Sequence, residues 1–73
     1  SEPDWSPNEL TALVGILSKA LNQDLGEREV VDLVEAAAGL PRYVKLVFRQ
    51  MRNGVGDPTD FQAMLKRASG ERA

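Results

Sequence analysis

The residues in this chain best suited to recognition chemistry form a row of cations. Its members are spaced by three or four residues, with no acid between them: Arg42, Lys45, Arg49 and Arg52. At about 100° per residue, this spacing places all four on one side of a helix. Like charges spaced in this way repel one another and weaken a helix. The row is therefore more than solubility requires, and we interpret it as a binding face for an acidic surface.

The segment just before this row carries the opposite charge. Glu29, Asp32 and Glu35 recur every three residues on the polar side of another expected helix. They form a candidate acidic face, and the basic row of a second copy is a possible binding partner for it. Leu46 stands outside the apolar stripe of the basic helix and is the apolar residue expected near the centre of that contact. The alternative is that these charged residues are only solvated and bind no partner, since an exposed ion pair contributes only ~0–1 kcal/mol of stability.

The side-chain chemistry of the chain argues against catalysis. With no histidine and no cysteine, it lacks the usual base for a serine or threonine nucleophile and the usual ligands of zinc, haem and iron–sulfur clusters. The acid pairs Glu27/Glu29 and Asp57/Asp60 stand in the first turns of expected helices, where the helix dipole accounts for them. We therefore predict a protein that is not an enzyme, with no metal site and no cofactor.

Length and composition are typical of one small domain. A chain of 73 residues buries only about 60% of its unfolded surface, so modest stability is expected. Residues 1–36 hold two bases against eight acids, a net charge of −6, whereas residues 37–73 hold seven bases against three acids, a net charge of +4. No apolar run approaches the roughly 18 residues of a membrane span. The absence of cysteine is typical of a cytoplasmic protein.

The elements that must position the two charged faces begin with a clear helix start. A capping box with proline at the first helical position is formed by Ser6, Pro7 and Glu9. Trp5 and Leu10 fall at the two positions of a hydrophobic staple, so Trp5 is expected to be a structural clamp. The first helix is predicted to end at about Asn22, and residues 1–5 are predicted to form a flexible lead.

The second and third helices meet at a tight corner. An acid-led start at Asp24 opens the second helix, which is predicted to run to about Ala38. Gly39 follows as a left-handed stop. Pro41 opens the third helix, which carries the cationic row and places Tyr43 at the edge of its apolar stripe.

The fourth helix completes the predicted fold. Asp57-Pro58 forms its start, and it is expected to stop near Gly70. Residues 6–70 then form a single helical interaction domain, followed by a tail over residues 71–73. Short connections favour antiparallel neighbours. The predicted fold is all-α, a compact bundle of four short, mostly antiparallel helices.

The corner also suggests a DNA-binding alternative. Gly39 followed by Leu40 looks like the turn of a helix-turn-helix motif, and a basic third helix is compatible with docking in the major groove. Two positions depart from that motif: Glu35 stands where a small residue is usual, and Lys45 where an apolar one is usual. Asp32 and Glu35 would also approach phosphates, which repel them. Protein binding is therefore preferred, with helix-turn-helix-like DNA binding as the alternative.

Leucine spacing and an Ala-Gly-Leu corner carry a family resemblance. The matching segments are LTALV over residues 10–14, LVEAAAGL over residues 33–40, residues 43–54, and DFQAMLKRA over residues 60–68. They resemble bacterial effector-associated domains, which are small death-like helical adaptors found beside proteases, TIR domains and STAND-type NTPases. The chain lacks the longer connection and the Asn-Pro-Gly type ending of that family. The resemblance implies like-with-like association that recruits effectors in bacterial signalling or defence.

Overall fold

Four helices make up the described part of the protein. A computed structural model describes residues 4–54 and 60–72, with no strand among them. The helices are α1 (Pro7–Leu21), α2 (Glu27–Ala37), α3 (Pro41–Asn53) and α4 (Phe61–Arg72). The Cα radius of gyration is 11.2 Å, close to the value of about 11 Å for a compact chain of this length. The predicted all-α four-helix bundle is confirmed.

Helix α3 is the central element of the bundle. It packs against each of the other three helices, as α2 also does, whereas no packing of α1 on α4 is found within the described residues. The core is aliphatic and aromatic and draws on all four helices; it comprises Leu10, Val14, Leu33, Val34, Ala37, Tyr43, Val44, Val47, Phe48, Phe61, Leu65 and Ala68. No described helix is both long enough and apolar enough to cross a bilayer.

Helix α1 begins with the predicted capping box. The Ser6 amide donates to Glu9 Oε1 at 2.8 Å, and the Glu9 amide donates to Ser6 Oγ at 3.2 Å. These two bonds satisfy donors that a helix start otherwise leaves without a partner. At the other end Asn22 adopts a left-handed conformation with φ +53°, which asparagine tolerates better than most residues.

Helix α2 starts two residues later than the predicted cap. Gly26, and not Asp24, is the N-cap, and it has no side chain to accept a hydrogen bond. Glu29 supplies the cap from inside the helix, because its Oε1 accepts the Gly26 amide at 2.9 Å. The prediction at Asp24 was wrong because an acid followed by another acid fits several start registers equally well.

The corner between α2 and α3 uses two left-handed residues. Ala38 has φ +50° and Gly39 has φ +87°, whereas only Gly39 was predicted to be left-handed. The chain before α1 docks on this corner, since the Trp5 amide donates to the Gly39 carbonyl at 2.9 Å. A Cβ atom at Gly39 would lie 3.1 Å from Asp4 Oδ1. The predicted lead is therefore part of the fold from Asp4 onward.

The described part of α4 begins at Phe61. Asp60 caps it, because its Oδ1 accepts the Ala63 amide at 3.0 Å. The predicted Asp57-Pro58 start lies outside the described residues. The helix also continues through Gly70 to Arg72, so the predicted stop near Gly70 and tail from residue 71 are corrected.

Tyr43 is fully buried, with 0% exposure, and not at the edge of the core. Its hydroxyl donates to the Leu65 carbonyl at 2.7 Å. The Ser69 hydroxyl also lies 3.0 Å from that carbonyl. Burial of the phenol is possible because its one strong donor has a partner.

Candidate interaction surfaces

The four cations of α3 share one exposed face. We call the set of Arg42, Lys45, Arg49 and Arg52 the basic face, and every member is exposed. The opposite side of α3 holds Val44, Val47 and Phe48, which are buried in the core. That burial fixes the rotation of the helix and turns the basic face outward. Among the described residues, no acid forms an ion pair with the basic face.

The apolar residues that lie beside the basic face differ from the one that was predicted, Leu46. Leu46 is half-buried and packs against the core. A small cleft of about 170 Å³ adjoins the basic face, and its apolar lining includes Leu17 and Leu21 of α1. No local signal in the sequence shows that the last turns of α1 lie beside Arg49.

Two of the three predicted acidic residues have intramolecular partners. Glu29 accepts the Gly26 amide and is half-buried. Asp32 forms an ion pair with Arg28 at 3.1 Å. The other oxygen of Asp32 accepts from Gln62 Nε2 of α4 at 3.1 Å. These partners reduce the negative charge that the two side chains present to a second molecule.

Glu35 is placed differently from Glu29 and Asp32. It is exposed and lines a groove on the side of α2 that faces α1. Asp32 instead contacts Gln62 on the α4 side. The three predicted acids therefore do not form one continuous surface, and Glu35 is the member most accessible to a partner.

The groove beside Glu35 is much larger than the cleft beside the basic face. It has a volume of about 730 Å³ and runs between α1, α2 and the docked chain before α1; its lining consists of Trp5, Pro7, Leu10, Thr11, Leu25, Glu27, Val30, Val31, Val34, Glu35, Ala38 and Gly39. We call this feature the α1–α2 groove. Most of its lining is apolar, and its charged members, Glu27 and Glu35, are both acids. No single stretch of sequence signals this groove, because it arises from the packing of three separate segments.

Trp5 belongs to the wall of the α1–α2 groove. It is partly buried against the core, next to the buried Leu10 that lines the same groove. This placement agrees with the predicted staple and also leaves part of the indole facing the groove. Val31 on α2 is 45% exposed there, one of two large hydrophobic side chains exposed among the described residues.

Comparison of the chain with protein-family models, with curated proteins and with solved structures finds no match. The surfaces themselves therefore carry the functional inference.

Proposed function

We propose that this protein is a non-catalytic helical protein–protein interaction module. The observation that supports this most directly is the basic face, which displays four exposed cations that form no ion pair with an acid among the described residues. Holding like charges together on one helix weakens that helix. An acidic surface on a partner removes that repulsion, so the basic face is better satisfied in a complex than alone.

The partner that we propose is a second copy of the chain. The most accessible acid of that copy is Glu35. Asp32 and Glu29 contribute the negative charge that their intramolecular contacts do not offset. Basic and acidic residues lie on different helices, so the contact joins two different surfaces. Such a heterologous contact continues from one molecule to the next unless a rotation closes it. Assembly of this kind would bring together effectors fused to the module, as the resemblance to bacterial effector-associated domains implies for signalling or defence.

Charge reversal on the basic face tests the proposal. We expect Arg49→Glu with Arg52→Glu to abolish self-association at low salt, because both cations then repel the acids of the next molecule. Adding Asp32→Lys and Glu35→Lys to the same chain is expected to restore part of it. Sedimentation velocity at several protein concentrations measures the association.

The matched control is Lys19→Glu with Lys66→Glu. Both lysines are exposed on other helices, so this variant has the same change in net charge without touching the basic face. We expect it to associate like the unmodified protein. A protein that stays monomeric at high concentration and low salt would rule out the homotypic contact.

DNA binding is the second candidate, and one observation favours it. The basic face lies on the helix that directly follows the α2–α3 corner, and all four cations are exposed. A gel shift with duplex DNA at low salt separates the two functions, because phosphate contacts dominate nonspecific affinity. Retardation that Arg49→Glu with Arg52→Glu removes would favour DNA over a protein partner.

A further inference from the structure

The α1–α2 groove has the dimensions of a ligand site. Its volume of about 730 Å³ falls within the ~300–1,000 Å³ of typical binding pockets. Aliphatic and aromatic side chains form most of its wall, including Trp5, Leu25, Val30 and Val31. Covering this wall removes apolar surface from water, which is the main driving force for association.

The charges of the groove define the polarity of its occupant. Glu27 and Glu35 line it, and no cation does. They stand eight residues apart on one helix, a separation of ~12 Å along the axis at 1.5 Å per residue. An occupant with two cations about two helical turns apart therefore matches both acids while its apolar side faces the groove.

A folded second copy does not supply such a segment. Among the described residues, its exposed large hydrophobic side chains are Ile16 and Val31, which lie on different helices. The apolar residues of α3, which carries the cations, are mostly buried in the core. The occupant must instead bring its own free apolar stripe.

We propose that the α1–α2 groove binds a basic amphipathic helix of a different protein. Its aliphatic anchors, at the i, i+3 or i+4, and i+7 positions of helix-in-groove recognition, pack against Trp5 and Val31. Lysine or arginine residues at the edges of its stripe pair with Glu27 and Glu35. The groove includes no residue of the basic face, although it shares Glu35 with the acidic side of the proposed self-contact, so peptide binding does not require self-association.

A designed peptide tests this proposal on the intact chain. The probe is a capped helical peptide of about 14 residues with leucines at the anchor positions and two flanking lysines. Trp5 is the single tryptophan and lines the groove, so its emission reports occupancy. We expect a saturable blue shift on titration, with the affinity confirmed by calorimetry.

Two exposed aliphatic residues provide a matched pair of variants. Val31→Asp places a charge in the groove wall and is expected to weaken the peptide roughly tenfold or more, because burying a charge against apolar groups is costly. Ile16→Asp is the control, since Ile16 is 64% exposed and lies outside the groove lining. It is expected to bind like the unmodified protein, and circular dichroism checks that both variants fold.

Charge exchange then identifies the polar contacts. Glu27→Lys with Glu35→Lys is expected to reject the lysine peptide and to bind a version with glutamates in place of the lysines. Three outcomes overturn the proposal: no saturable response, equal binding by a peptide with serine in place of leucine, or no effect of Val31→Asp. Arg49→Glu with Arg52→Glu should leave peptide binding intact, and Val31→Asp, which keeps Glu35, should not abolish self-association, so each proposal can fail alone.

Discussion

Tyr43 shows how one polar atom can be carried into an aliphatic core. The phenol is fully buried, and its hydroxyl spans from α3 to the Leu65 carbonyl on α4. The carbonyl also accepts from Ser69 Oγ at 3.0 Å. Loss of the phenolic hydroxyl therefore leaves no buried acceptor without a partner.

We expect Tyr43→Phe to lower the free energy of unfolding by about 1 kcal/mol, the net value of one buried hydrogen bond. Chemical denaturation followed by circular dichroism measures it. Ser69→Ala is the companion variant and is expected to cost less, because the Ser69 hydroxyl is only partly buried. An unchanged stability for Tyr43→Phe would mean that the hydroxyl does not tie α3 to α4.

At the scale of elements, the α2–α3 corner is a tightly constrained connection. Ala38 is left-handed with φ +50°, although it carries a side chain. Left-handed backbone costs an L-residue about 1–2 kcal/mol. The Trp5 amide donates to the carbonyl of the adjoining Gly39, and the Asp4 side chain lies where it would meet any Cβ added to that glycine. The corner therefore also anchors the chain before α1.

We expect Ala38→Gly to raise the free energy of unfolding by about 0.5–1 kcal/mol, since glycine relieves the left-handed strain but gains freedom in the unfolded chain. The control is Ala36→Gly, two residues earlier in right-handed helix. It is expected to change stability in the opposite direction by about 0.5–1 kcal/mol. Thermal and urea unfolding of the two variants measure both effects, and a loss of stability in Ala38→Gly would contradict the expectation.

Local sequence signals predicted the start of a helix correctly where only one start position fitted them. Ser6 and Pro7 fix the start of α1, and Pro41 fixes the start of α3. The predicted start of α2 was wrong because Asp24 and Gly26 are both acceptable caps. Only the hydrogen bond that the Gly26 amide donates to Glu29 distinguishes them. Burial of Tyr43 depends on packing by α4, which no pattern within α3 records.

The candidate surfaces also differ in whether local sequence could predict them. Exposure of the basic face follows from the apolar stripe on the other side of α3, so the spacing of Arg42 to Arg52 was sufficient to predict it. The environment of Asp32 depends on Gln62, thirty residues later. The α1–α2 groove depends on how three segments meet and has no counterpart in any single stretch of sequence.

At the scale of the whole molecule, opposite charges lie on different helices, so the protein has two different surfaces for head-to-tail contact. Residues 1–36 carry a net charge of −6 and residues 37–73 a net charge of +4. Under the proposed contact each molecule uses its basic face toward one neighbour and its acids toward another. Growth then has no built-in end, and it should weaken as salt screens the charges, with a Debye length of about 10 Å at 0.1 M.

A mixture of two complementary variants tests this directionality. Arg49→Ala with Arg52→Ala keeps only the acids, and Asp32→Ala with Glu35→Ala keeps only the basic face; alanine is used because charge-reversed surfaces would attract each other. Each variant alone is expected to be monomeric at low salt. Mixed in equal amounts, they should form a 1:1 dimer and nothing larger, because the single intact contact leaves no matching surface to extend. Sedimentation velocity of the mixture distinguishes this dimer from the larger species expected of the unmodified chain, and assemblies beyond a dimer in the mixture would contradict a head-to-tail contact.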